Sequence, residues 1–84
     1  MDAFEAIADP TRRRILEMLS ERELAAGEIA RRFDMTPPAV SQHLKILRNA
    51  DLVRVRNDAQ RRMYALESHG LTEFEHWLTR IARR

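Results

Sequence analysis

A run of short polar and amide side chains within residues 36–49 is the part of the sequence best suited to contact another molecule. Val40, Leu44 and Leu47 recur at helical spacing, which predicts a helix with one buried stripe. At about 100° per residue, the positions opposite that stripe are Pro38, Ser41, Gln42, Lys45 and Asn49. Serine, glutamine and lysine offer hydrogen bonds and positive charge with little apolar surface. Such a face suits a polar, anionic partner such as nucleic acid.

Small side chains near the start of this helix would let its backbone approach base edges in a DNA major groove, which is about 12 Å wide. Gln42 can form two hydrogen bonds with adenine, and Ser41 can bond a base or a phosphate. Lys45 and Arg48 lie further along and are expected to reach phosphates, as are free N–H groups near Thr36. On spacing alone, an ordinary solvated helix face explains these residues equally well.

The surrounding signals predict three helices, then the polar-faced helix as the fourth, then a β-hairpin and a last helix. The residues that mark helix starts are Asp9 with Pro10, Thr36 with Pro37, and Ser68. A third helix is expected within 24–33, beginning near Gly27. Two β-prone runs, 52–56 and 62–66, flank the turn-forming residues 57–60 and predict the hairpin.

Positive charge is concentrated in the middle of the chain. The 84 residues have a formal net charge of +2, yet residues 31–62 carry eight basic groups against three acids. Residues 1–30 carry four arginines against seven acids, and residues 63–84 are balanced. Four of the basic residues belong to the predicted hairpin: Arg54, Arg56, Arg61 and Arg62. A basic segment on a nearly neutral chain is the footprint expected of a surface that meets a polyanion.

Three further arginines, residues 12–14, stand at the start of the second helix. Positive charge there opposes the helix dipole and needs a compensating negative group. The sequence leaves two sources open, an external anion or the nearby acids Asp2, Glu5 and Asp9.

Composition argues against several classes of protein. The chain has no cysteine, which excludes disulfides, thiolate metal sites and cysteine nucleophiles. It has only two glycines and no phosphate-binding loop, and Ser41 and His43 diverge on one helix, so no active site is predicted. There is no basic leader, and no apolar run approaches the ~20 residues of a membrane span. We expect one cytoplasmic domain with no membrane partner, no enzymatic activity and no cofactor.

Several stretches together resemble the arsenical-repressor (ArsR-type) family. They are residues 8–12 leading into Ile15 and Leu16, residues 38–48, Leu52 with Val53, and a basic hairpin ending at residues 64–66. The resemblance covers nearly the whole chain. Two short helices with a tight turn between them, the second capped and followed by a basic hairpin, already indicate a winged helix-turn-helix, and the resemblance implies the same fold, mainly α with a small β-hairpin. The helix-turn-helix would span about 26–49, the wing about 52–66 and a dimerisation helix about 68–83.

The resemblance implies a homodimeric repressor bound to a palindromic operator in double-stranded DNA. The positions that it assigns to the major groove are Pro37, Pro38, Ser41 and Gln42, and it assigns residues 57–62 to the wing. The full set expected to contact DNA is Thr36, Pro37, Pro38, Ser41, Gln42, His43, Lys45, Arg48, Arg56, Gln60, Arg61 and Arg62. Within it, His43 flanks the apolar stripe and is expected to pack or bridge a phosphate rather than read a base.

The first and last helices are expected to form the dimer interface. Family members pair through these helices, and here their apolar stripes are too large for one small domain to bury. The residues concerned are Phe4, Ile7, Leu71, Phe74, Trp77, Leu78 and Ile81.

Metal sensing, known in the family, is not expected here. Ala25 and Gly27 stand where sensing relatives have paired cysteines, and a second family site would need ligands near Arg80 and Arg83. Three C-terminal residues do share helical spacing: His69, Glu73 and His76. A metal-responsive repressor that uses them, and a protein-interaction module without DNA, are the two alternatives.

Overall fold

The computed structural model describes residues 2–83. The fold is a winged helix-turn-helix in which the helices pack around a small antiparallel sheet. Its elements are α1 (Ala3–Ala8), α2 (Pro10–Leu19), β1 (Leu24–Ala25), α3 (Ala26–Arg31), α4 (Pro37–Asn49), β2 (Val53–Asp58), β3 (Arg61–Leu66) and α5 (Ser68–Ala82). None of the helices in this part of the chain has the length and apolar character that a membrane span requires.

The predicted starts of α2 and α4 are confirmed. The Asp9 carboxylate accepts the Arg12 backbone N–H at 3.0 Å, and the Thr36 hydroxyl accepts the Ala39 N–H at 3.3 Å. Proline follows each cap at a position where a missing N–H costs nothing. The end of α4 is equally defined, because Asp51 adopts a left-handed φ of 59° and the Leu52 N–H bonds the Leu47 carbonyl at 3.0 Å. These contacts fix the length of α4.

The third helix begins at Ala26, next to the predicted start near Gly27, but it is shorter than the stretch 24–33. The helix covers only Ala26–Arg31, and Leu24 and Ala25 form β1, which pairs with Tyr64 and Met63 of β3. The sheet therefore has three strands in the order β1-β3-β2 rather than a hairpin alone. A two-residue strand has no periodicity to detect. Its pairing buries Leu24 completely, which explains why this segment leaves the helical path.

The start of α5 also differs from the expectation. Glu67, not Ser68, is the N-cap, since its carboxylate accepts the His69 backbone N–H at 3.3 Å. Gly70 then packs directly on the end of α4, where a Cβ would lie 2.5 Å from the Asp51 carbonyl oxygen. The Gly70 N–H donates to that same oxygen at 3.0 Å. The last helix is thereby fixed against the end of α4.

A single apolar core joins the helices to the sheet. Its fully buried side chains are Ile15, Leu24, Ile29, Val40, Leu44, Leu47 and Leu52. The three that α4 contributes are the stripe predicted from the sequence, so α4 is held by its inward face. Removing a buried leucine of this kind costs about 2 to 5 kcal/mol, which makes the stripe a structural rather than a binding feature.

Candidate nucleic-acid interface

The outward face of α4 is free of intramolecular cover. The side chains of Pro38, Ser41, Gln42, Lys45 and Arg48 are all exposed, on the side opposite the buried stripe. Thr36 and Pro37 at the helix start are exposed as well. The structure thus places the predicted groove-reading residues together on one continuous surface.

A groove runs between this face and the middle of β3. It is lined by Ser41, Leu44, Lys45, Arg48, Asn49, Arg62 and Tyr64, and we call it the α4–wing groove. The Arg62 guanidinium lies 5.9 Å from the centre of the Tyr64 ring. Among residues 2–83, no carboxylate comes within 4.0 Å of the charged nitrogens of Lys45, Arg48 or Arg62. Three uncompensated cations therefore converge on one groove. Asn49 belongs to the groove although the expected contact set omitted it.

The arginines of the wing, the β2–β3 hairpin, are divided between its two faces. Residues directly opposite one another on antiparallel strands share a face. Arg62 is opposite Asn57 and lies on the same side as Tyr64, which we call the inner face. The outer face carries Arg54, Arg56 and Arg61. Strand alternation thus separates four arginines that the sequence analysis had grouped together.

The outer-face arginines are engaged by acceptors of the same chain. Arg56 donates Nε and Nη2 to the two carboxylate oxygens of Glu23 at 3.0 and 2.7 Å. Arg61 Nη2 lies 2.8 Å from Glu28 Oε1, and Arg54 donates to the Leu66 carbonyl at 2.8 Å. Sequence reasoning missed both glutamates. The only local signal was the position of Glu28 in the first turn of α3, where its Oε1 accepts the Ala25 N–H at 3.0 Å.

These contacts keep both glutamates ionised. The hydrogen bond from Arg56 is the main reason that the pKa of Glu23 is lowered, and the Arg56 charge adds to it. The pKa of Glu28 is lowered chiefly by the Ala25 N–H, with the charges of Arg22 and Arg61 contributing. The outer face is therefore neutralised in part at neutral pH.

The tip of the wing consists of Ala59 and Gln60, both exposed. Ala59 has a φ of 57°, a left-handed conformation that an alanine adopts at a cost of about 1 to 2 kcal/mol. Gln60 lies beside Arg61 and Arg62 at the mouth of a depression against the start of α3. The expected wing contact Gln60 is thus open to solvent.

His43 turns away from the exposed face of α4. Its side chain is only 20% exposed, and its Nδ1 lies 4.0 Å from Asp9 Oδ2 and 3.4 Å from Arg12 Nη1. The pKa of Asp9 is lowered, mainly by the Arg12 backbone N–H, with His43 a lesser cause. The packing expected of His43 is thus observed, at the junction of α2 and α4.

The side chains of the arginines at the start of α2 bind carbonyls and an aromatic ring, and the charge of Arg12 also lowers the pKa of Asp9, one of the acids expected to compensate it. Arg12 donates Nε to the Ala6 carbonyl at 2.7 Å, and Arg13 donates Nη1 to the Ile7 carbonyl at 2.9 Å. These carbonyls end α1, where a helix carries partial negative charge. Arg14 stacks 4.9 Å from the centre of the Phe33 ring. The arginines therefore tie α1, and the turn that follows α3, to α2.

The seven expected dimer residues divide into three groups, which pack on the core, form an aromatic cluster, or lie exposed on α5. Ile7 and Leu71 pack against the core and are only partly exposed. Phe4, Phe74 and Trp77 form an aromatic cluster, with ring centres 5.3 Å apart for Phe4 and Phe74 and 4.9 Å for Phe4 and Trp77. The large apolar side chains left exposed are Phe4 at 46%, Trp77 at 39%, Leu78 at 48% and Ile81 at 52%, and we call them the apolar face.

The histidines of α5 do not converge. His69 Nδ1 lies 3.6 Å from Asp51 Oδ2, at the end of α4. Within residues 2–83, no three His, Cys, Asp or Glu side chains are grouped so that they could hold a metal ion.

Comparison with known proteins identifies the family. The family model described as "Bacterial regulatory protein, arsR family" matches residues 9–55, more than half of the chain. The chain is 46% identical over 82 residues to the HTH-type transcriptional regulator Rv2034 of Mycobacterium tuberculosis, covering 98% of this chain and 77% of that protein. It is 36% identical over 77 residues to the transcriptional repressor SdpR of Bacillus subtilis, covering 92% and 86%.

Solved structures agree with this relationship. The crystal structure of a possible transcriptional regulator for arsenical resistance superposes with a TM-score of 0.89 at 34% identity, over 96% of this chain and 84% of that one. Both the sequence and the fold therefore place the chain in the arsR family of bacterial regulatory proteins.

Proposed function

We propose that this DNA-binding transcriptional regulator acts as a homodimeric repressor at a palindromic operator. The observation that carries the proposal is the α4–wing groove, where three unpaired cations adjoin the exposed Ser41 and Gln42. Cations that lack carboxylate partners supply affinity for phosphates, and the amide supplies discrimination between bases. Repression follows from occlusion of the polymerase, in the cytoplasm where the DNA is, and requires no enzymatic step.

Each residue group has a distinct task in this proposal. Gln42 and Ser41 read base edges in the major groove while the free N–H groups at the start of α4 contact a phosphate. Lys45, Arg48 and Arg62 contact the backbone and fix the register without reading sequence. Gln60 at the wing tip contacts the backbone beside the groove.

The apolar face supports the homodimer. Phe4, Trp77, Leu78 and Ile81 form an exposed stripe along α1 and the second half of α5, and a second copy of the chain would cover it across a two-fold axis. Two copies of α4 would then enter successive major grooves, with half-site centres about 10 to 10.5 base pairs apart or a multiple of that. Pairing therefore doubles the contacts and explains a palindromic operator.

A titration of DNA duplexes tests the proposal directly. The purified protein is titrated against duplex from upstream of its own coding region and against a shuffled duplex of equal length, at two salt concentrations. We expect about 10³-fold tighter binding to the native duplex with a steep salt dependence. Zinc or a chelator should leave both isotherms unchanged. Equal and weak binding to the two duplexes would contradict a sequence-specific regulator.

Gln42→Ala tests base reading. Loss of a bidentate contact should reduce discrimination at one base pair by about 1 to 3 kcal/mol, measured on operator variants substituted one position at a time. Gln60→Ala is the matched control, because it removes an exposed amide from the wing tip. It should weaken binding to all duplexes by the same factor. A uniform loss on every sequence with Gln42→Ala would exclude it from base recognition.

Trp77→Glu tests the dimer. A carboxylate on the apolar face is costly to desolvate, so sedimentation should show monomers and operator affinity should fall at least about 10-fold. Thr79→Glu adds the same charge to another exposed position of α5 and should leave the dimer intact. Because Trp77 also packs on Phe4, the more exposed Ile81→Glu is measured alongside. An intact dimer in both apolar-face variants would place the interface elsewhere.

A further inference from the structure

Two carboxylates from outside the hairpin cover the outer face of the wing. Glu23 directly precedes β1, and Glu28 lies in the first turn of α3. Arg56 lies on β2, and β3 separates β1 from β2 in the sheet. The Glu23–Arg56 pair therefore crosses over the central strand β3. The Glu28–Arg61 pair joins the helix-turn-helix to the first residue of β3. Both links run between the wing and the body of the domain.

The geometry of these pairs is more restrained than that of a typical surface ion pair. Glu23 binds Arg56 through both oxygens, the arrangement in which guanidinium and carboxylate are best matched. Glu28 is only 22% exposed and is held by three donors, since its Oε2 also faces Arg22 Nη2 at 3.5 Å. Each carboxylate is therefore bound by more than one donor of the same chain.

The inner face has no such cover. Arg62 lies across the strand from these pairs, in the groove with Lys45 and Arg48, and no described carboxylate pairs with any of the three. Sequence-independent affinity for DNA arises from cations that replace counterions on phosphates. A cation already paired with a carboxylate contributes less to that affinity.

We propose that Glu23 and Glu28 are specificity-determining residues: they hold Arg56 and Arg61 away from DNA phosphates and so lower the affinity for sequences other than the operator. This inference rests on the proposed DNA binding. On the operator, base contacts from α4 fix the orientation of the domain and the outer face stays turned from the duplex. On other DNA no base contact fixes the orientation, and any free basic surface adds affinity. Neutralising the outer face therefore weakens competing sites more than it weakens the operator.

The test is the double variant Glu23→Gln and Glu28→Gln, measured by the two-duplex titration at several salt concentrations. The amide at position 28 still offers an oxygen to the Ala25 N–H, so the start of α3 is preserved. We expect binding to the shuffled duplex to tighten about 10-fold or more, with its log–log salt slope steeper by about 0.9 for each released arginine. Binding to the operator should tighten by less than about 3-fold, so the ratio of operator affinity to shuffled-duplex affinity falls.

The matched control is Glu17→Gln with Glu21→Gln. These two exposed glutamates lie on or beside α2, form no ion pair among the described residues, and give the same change in net charge. The control should change the affinity for both duplexes slightly and by the same factor. Adding Arg56→Gln and Arg61→Gln to the wing variant should abolish its gain on the shuffled duplex. Circular dichroism and the thermal midpoint establish that every variant is folded.

Three outcomes overturn the inference: an equal gain in the control, an equal gain on both duplexes, or weaker binding when the carboxylates are removed. Weaker binding would mean that the glutamates aim the arginines at DNA. Failure of the wild-type chain to prefer the native duplex would instead contradict the proposed function itself. The two failures are thus distinguished by the wild-type titration alone.

Discussion

On the inner face of the wing, Arg62 lies in the α4–wing groove beside Lys45 with no described carboxylate in reach, whereas on the outer face Arg56 and Arg61 are bound by Glu23 and Glu28. The two faces belong to the same pair of strands, and alternate residues along each strand point to one face or the other. The adjacent arginines therefore differ in their partners, since Arg61 pairs with Glu28 whereas Arg62 pairs with no described carboxylate. Proximity in sequence is a poor guide to shared function on a strand.

The difference also shows how a charge count should be used. Residues 31–62 carry an excess of five positive charges, which in the sequence alone predicts one basic surface. In the fold, acids from the N-terminal third, Glu23 and Glu28, return to pair with that segment. Among the cations of this segment without a described carboxylate partner, three border the α4–wing groove: Lys45, Arg48 and Arg62. Electrostatic attraction to DNA should follow that set rather than the segment total.

Arg62→Ala and Arg61→Ala test the comparison between the faces, with the larger effect expected for Arg62. Removal of the unpaired cation should weaken binding to every duplex about 10-fold at low salt and lower the salt slope by about 0.9, whereas removal of the paired one should change affinity by less than about 3-fold. The two variants have the same net charge and serve as controls for each other. Equal losses would show that both faces contact DNA and that the distinction drawn between them is wrong.

The features that could be predicted from the sequence depend on neighbouring residues. Three features of α4 depend only on residues within one or two turns of each other: its buried stripe, its Thr36 cap and its exposed polar face. All three are found as expected. The order of the predicted elements indicated a winged helix-turn-helix, and the resemblance to the arsR family implied the same fold. Local patterns thus identified the helix that carries the candidate site.

The features that could not be predicted depend on partners distant in sequence. Glu23 and Arg56 are 33 positions apart, as are Glu28 and Arg61, so only the pairing of β1 with β3 brings them together. That pairing was missed because β1 has two residues, and no periodic signal survives at that length. His43 likewise meets Arg12 across 31 positions. Tertiary contacts decided which charged side chains are free.

The pH dependence of stability gives a smaller but independent distinction between the two faces. Because the pKa values of Glu23 and Glu28 are lowered in the fold, their hydrogen bonds and ion pairs stabilise the protein above the ordinary carboxyl pKa of about 4.3, and this contribution is lost as pH falls through the folded values. Thermal unfolding should show the variant with both glutamines melting slightly below the wild type at pH 7. That difference in thermal midpoint between the variant and the wild type should close as the solution is acidified, because a protonated glutamate is as uncharged as glutamine.

Arg62→Ala supplies the contrast in the same experiment. Since no described carboxylate pairs with Arg62, the gap between this variant and the wild type should stay constant over the same pH range. Asp9, whose pKa is also lowered, is present in every protein compared and cancels in the differences. A gap for the glutamine variant that persists in acid would mean that packing of these side chains, not their charge, links the wing to the domain. A gap for Arg62→Ala that closes in acid would mean that the inner face has a carboxylate partner after all.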